Sequence, residues 1–212
     1  MGIVMATIED LKEKVRHSTY EEWSKIVQGP LKSVGLNGAM AVTIDILRQY
    51  LPIFEGHNLQ GIWLRGLLAT FQNSIEKLSE EIPALPIETL YSSSKGPGCG
   101  NFLYAIERLW EASELRNDAN ACVKQLIYAL DSCILALLAA YWAELHPHEW
   151  ELQAQFWREE GALNPDNRAE SEALNKGLLF RLQPEAQEYQ INQWLSVLDE
   201  IAKYDIPSNP QN

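Results

Sequence analysis

The sequence predicts an all-α chain, a single-domain helical bundle of about eight helices around a long apolar central helix, with essentially no sheet. Three observations carry this expectation. Residues 118–145 are apolar on nearly every side, with one carboxylate, Asp131, near the centre, and a helix of that kind must be enclosed by others. Apolar residues recur at helical spacing from end to end. No segment shows sustained apolar/polar alternation with β-branched enrichment.

Taken in order, Thr7 with Asp10 and Thr19 with Glu22 read as N-cap pairs opening two short helices, separated at His17-Ser18. Residues 1–35 thus form an N-terminal helical hairpin packed on the bundle, with Gly29-Pro30 stopping its second helix. From Leu36, the spacing of Met40, Ile44, Leu47 and Leu51 predicts a third helix that Pro52 ends. Asn58 is placed to cap a long fourth helix, in which Leu64, Leu68, Phe71, Ile75, Leu78 and Ile82 step alternately by four and three. The central helix repeats that register at Ile127, Leu130, Ile134, Leu137 and Tyr141, so these two helices are expected to pack at a shallow angle.

Residues 83–100 form the one long loop. A helix from Asn101 to about Arg116 then places Leu103, Ile106 and Trp110 on one side, and the central helix follows Asn117-Asp118. Pro147 ends it, because the ring removes a backbone donor and excludes the preceding residue from helix. Further helices are expected from about His148 to Glu160, stopped by Gly161, and from about Asp166 to Leu182. Pro184 suits the first turn of the last helix, whose stripe is Ile191, Trp194, Leu195, Leu198 and Ile201. Residues 206–212 read as a frayed tail, and 1–212 as a single all-α domain.

The 212 residues carry 17 Lys/Arg and 29 Asp/Glu, a net charge of −12. This charge is uneven. Residues 1–106 hold 9 basic and 11 acidic groups, whereas residues 107–212 hold 8 and 18. An acidic second half repels phosphate backbones and anionic lipid, so the expected partner is a protein or a second copy of the chain, with no nucleic acid and no membrane. Cys99, Cys122 and Cys133 are odd in number and lack zinc-type spacing, which points to a reducing, cytoplasmic setting rather than a disulfide scaffold. On one helix, Cys122 and Cys133 would stand roughly 16 Å apart, beyond disulfide reach. The N-terminus lacks a basic n-region and an apolar h-region, so no secretory signal is expected. Ala6 stands where a myristoylation motif wants Ser or Thr.

Four groups of residues carry potential chemistry. Lys95, Gly98, Cys99 and Gly100 sit ahead of a helix N-terminus, where backbone N–H groups favour an anion and a thiolate is favoured at an exposed cysteine. Lys95 precedes the glycines, so this is no Walker A loop. Glu144, His146 and His148, with Glu149, cluster around Pro147 and offer ligand types suited to zinc, iron or manganese. Neither the Glu-x-x-His pairs of binuclear bundles nor the His-Glu-x-x-His of zincins occurs, and no cofactor is expected. Asp45 and Asp131 are carboxylates within apolar helices, to be paired or raised in pKa, with Arg48 and Arg65 as candidate partners. Trp150 and Trp157 share a helical face among Glu151, Glu159 and Glu160, a composition suited to an interface anchor.

The function expected is therefore binding or regulation of another macromolecule through an acidic, Trp-containing C-terminal half. One alternative is an immunity- or antitoxin-like neutraliser of a basic protein; another is a metal- or small-ligand-dependent helical enzyme.

Overall fold

The computed structural model describes residues 7–58, 63–73, 95–158 and 179–204. These residues form eight α-helices and one 3-10 turn, with no strand among them. The helices are α1 (Ile8–Arg16), α2 (Tyr20–Ser33), α3 (Gly35–His57), α4 (Trp63–Asn73), α5 (Cys99–Glu114), α6 (Ala119–Leu145), α7 (Pro147–Arg158) and α8 (Pro184–Ala202), with the turn at Phe180–Leu182. The all-helical bundle around one long apolar helix is what the sequence predicts.

Local chemistry sets most boundaries. Thr7 Oγ1 accepts the Asp10 N–H at 3.2 Å while the Asp10 carboxylate accepts the Thr7 N–H at 2.9 Å, closing a capping box on α1. The Glu22 carboxylate accepts the Thr19 N–H at 3.1 Å at the start of α2. Asp118 opens α6 by accepting the N–H groups of Asn120 and Ala121, each at 3.0 Å. Pro147 ends α6 and begins α7, and Pro184 begins α8.

Two prolines do not stop their helices. Pro30 lies inside α2, which continues to Ser33, and Pro52 lies inside α3, which continues to His57. Each costs a backbone hydrogen bond and strains its turn by about 3 kcal/mol. Continuation buries Leu31 in one case and Phe54 in the other, and burial of side chains that size offsets most of that cost. Asn58 accordingly closes α3, and the residues between it and Trp63, where the expected cap of α4 would act, lie outside the described residues.

The core is one cluster running through α1, α2, α3, α4, α5, α6 and α8. At its centre, α6 buries Leu126, Ile127, Leu130, Cys133, Ile134 and Leu137. By length and composition α6 is apolar enough to cross a membrane, and 72% of its most apolar window is buried inside the bundle, as a core helix requires. The neighbour of α6 that covers it most is α5, joined to it by residues 115–118. Among the described residues, α4 packs on α3, whereas the expected pairing placed it along α6. A short connection makes sequential helices antiparallel neighbours, and that constraint outweighs a matching register further away. Leu64, Leu68 and Phe71 of α4 are fully buried, whereas Ile75, Leu78 and Ile82 lie outside the described residues.

A second, smaller cluster joins Leu138, Ala139 and Trp142 of α6 to Phe180 and Ala186. Tyr141, Trp150 and Tyr189 pack around it half-buried, with the rings of Tyr141 and Tyr189 stacked at 4.2 Å. At the opposite end, Lys12 of α1 pairs with Asp199 of α8 at 2.7 Å, and Lys32 of α2 donates to Asn120 of α6 at 2.6 Å.

Candidate functional site

The glycines around Cys99 bury it rather than expose it. Gly98 has φ +81°, and a Cβ there would lie 2.7 Å from the Ala136 Cα, so only glycine lets the start of α5 lie against α6. The thiol donates to the Lys95 carbonyl at 2.8 Å and lies 3.2 Å from Asn58 Nδ2. The Tyr50 hydroxyl donates to the Pro97 carbonyl and lies 3.6 Å from the same sulfur. Burial pushes the Cys99 thiol above its ordinary pKa, and the bonds from Tyr50 and Asn58 only partly oppose it. The same burial raises Tyr50, Cys122 and Cys133. The loop is thus a packed knot, and the expected exposed, thiolate-favouring cysteine is not formed. Lys95 and Gly100 are exposed.

At the exit of α6 the ring of His146 stacks on Trp142 at 3.9 Å, and its Nε2 lies 2.7 Å from the Glu185 carboxylate of α8. Glu149 approaches its Nδ1 at 3.9 Å. Glu144 and His148 are exposed, and among the described residues no group of three His, Cys, Asp or Glu could hold a metal ion. The geometry of His146 fits a clamp between the ends of α6 and α8.

Asp45 is half-exposed and pairs with Arg48 at 3.3 Å, while Arg65 pairs with Glu55, its Nε at 3.1 Å. Asp131 differs. It accepts the Tyr20 hydroxyl at 3.2 Å, and burial raises its carboxyl above the usual range, against the opposing effects of that bond and of the Arg181 charge. Trp150 anchors α7 on the second cluster, with Glu151 exposed beside it. The Trp157 side chain, Glu159 and Glu160 lie outside the described residues.

Sequence reasoning missed a cavity of about 590 Å³ between the start of α2 and a wall formed by the 3-10 turn and the first half of α8. Tyr20, Glu21, Trp23, Arg181, Leu182 and Gln190 are among the residues that line it. The Tyr20 and Trp23 rings meet edge-on at 6.0 Å, and the Trp23 indole N–H is taken by the Val15 carbonyl at 3.0 Å. Gln190 is buried, and its Oε1 has no hydrogen-bond partner. No linear signal could reveal this site, because its two walls come from segments about 160 residues apart that meet only after folding.

Compared with protein-family models, curated proteins and solved structures, the chain matches none.

Proposed function

We propose that the protein is a binding or regulatory module that recognises a protein partner through its acidic C-terminal half, rather than by catalysis. One observation carries this reading. Leu145, Leu179 and Leu182, at 50%, 53% and 65% exposure, are the most exposed large apolar side chains described, and all belong to the acidic half. Apolar groups left in water beside carboxylates resemble an interface more than a solubilising face. In sequence they adjoin Trp142 and Phe180, which belong to the second cluster. Glu144, Glu151, Glu185 and Glu188 are the exposed carboxylates of α6, α7 and α8 nearby in sequence.

The charge of the second half favours a second reading, in which the partner is a basic protein being neutralised. Salt separates the two. The test is affinity capture from the native host, followed by titration of the identified partner against the wild type and the double variant Leu179→Ser, Leu182→Ser. Loss of about tenfold or more in affinity on substitution, with weak salt dependence, supports the apolar face. Association that collapses with salt and ignores the leucine substitutions supports neutralisation. If no partner is retained and the chain is a monomer, the binding reading fails.

A further inference from the structure

We propose that the cavity between the start of α2 and the first half of α8 binds a zwitterionic amino acid with an apolar or aromatic side chain. The reading goes beyond the partner-binding face, and its test needs no macromolecule. The volume of about 590 Å³ falls within the range of small-ligand pockets, roughly 300–1,000 Å³. Rings and aliphatic groups of Tyr20, Trp23, Leu182 and Ile191 form its apolar walls. The polar ends of both aromatic residues are already committed, the Tyr20 hydroxyl to Asp131 at 3.2 Å and the Trp23 indole N–H to the Val15 carbonyl at 3.0 Å, so these two residues offer a guest their rings.

Two charges of opposite sign select the class of ligand. Glu21 and Arg181 both line the cavity, yet neither forms a hydrogen bond or ion pair with a described residue, and they do not pair with each other. Arg16, Arg48, Arg65 and Arg108 each hold a carboxylate within 3.3 Å, which sets Arg181 apart. Its charge acts on the Asp131 carboxyl through space, without an ion pair. A guest that fills the space takes water from both charged groups, and a charge without water has to be paired. A neutral guest leaves both unpaired, an amine sets its cation against Arg181, and a carboxylate sets its anion against Glu21. A zwitterion answers both: its carboxylate accepts the parallel N–H bonds a guanidinium offers, and its ammonium donates to Glu21. Ser18 and Gln187, in the same lining, add a hydroxyl and an amide, each able to donate and to accept.

The test uses the full chain and three probes with one phenyl body: phenylalanine, and the two molecules that each lack one of its charges, phenethylammonium and hydrocinnamate. NMR titrations should shift the amides of Ser18, Glu21, Gln187 and Ile191 with phenylalanine, at an affinity at least about fivefold above either singly charged probe. Glu21→Gln should weaken phenylalanine by about three- to tenfold and leave hydrocinnamate unweakened. Arg181→Gln should weaken phenylalanine to a similar degree and leave phenethylammonium unweakened. Both side chains are exposed, so the two variants should melt like the wild type. Alanine, which keeps both charges and lacks the apolar body, should bind at least about tenfold more weakly than phenylalanine. No shift at about 10 mM phenylalanine, equal affinity for the three probes, shifts scattered away from the cavity, or wild-type affinity in both variants would overturn the proposal.

Discussion

Asn58 and Lys95, 37 positions apart, are joined by a reciprocal pair of hydrogen bonds: the Asn58 Oδ1 accepts the Lys95 N–H at 2.8 Å, and its Nδ2 donates to the Lys95 carbonyl at 3.0 Å. The same amide donates to the Phe54 carbonyl at 3.0 Å, so one side chain both closes α3 and holds the chain entering α5. Asn58→Ala leaves these backbone groups unpaired where water has little access. A loss of about 2–4 kcal/mol in unfolding free energy is expected by denaturant titration. Asn58→Asp recovers only part, because a carboxylate cannot donate to Phe54 or Lys95.

Gly98 and Gly100 should respond in opposite directions. Gly98→Ala combines a left-handed φ with a clash against the Ala136 backbone, and should cost about 3 kcal/mol or more. Gly100 lies in the first turn of α5, and an added methyl would meet nothing within 4 Å, so Gly100→Ala should stabilise by up to about 1 kcal/mol. Thermal melts of the two variants check both signs.

All three cysteines should be silent to a soluble disulfide reagent in the native protein. Each is buried, and burial raises each thiol above its ordinary pKa. Thiol counting with dithionitrobenzoate should give no fast phase before denaturant is added and three reacting groups after. A fast single-thiol phase would contradict the packing around Cys99.

Asp131 should make stability depend on pH in the direction opposite to a salt-bridged carboxylate. Its pKa in the fold is raised by burial, so between the unfolded value and the folded one the native state binds more protons. Its contribution is most favourable at the acid end of that window and is lost as pH rises through the folded pKa. Asp131→Asn should therefore raise the melting temperature at neutral pH, with a gain that shrinks as pH falls through the window. The amide can still accept from Tyr20, which keeps the comparison clean.

The elements legible in the sequence were those whose determinants are local. The capping pair at Thr7, the stop at Pro147 and the proline start at Pro184 each depend on a few neighbouring residues. Pro30 and Pro52 misled because the burial that carries helix past them is supplied by other helices. Cys99 misled for the same reason: glycines that loosen a free loop tighten a packed one, and the Ala136 backbone that makes the difference is 37 residues away. Asp131 stood out as a lone carboxylate in an apolar run, yet its partner Tyr20 lies 111 positions upstream, and nothing near it pointed to the charge of Arg181.

The order in which helices leave the ribosome bears on the hazard posed by α6. A nascent segment with this composition resembles the substrates of membrane-insertion machinery. Among its neighbours in the described residues, α2, α3 and α5 are synthesised before it, and α7 and α8 come later. Three covering helices are thus already waiting when α6 emerges, whereas the strip facing α7 and α8 depends on synthesis still to come.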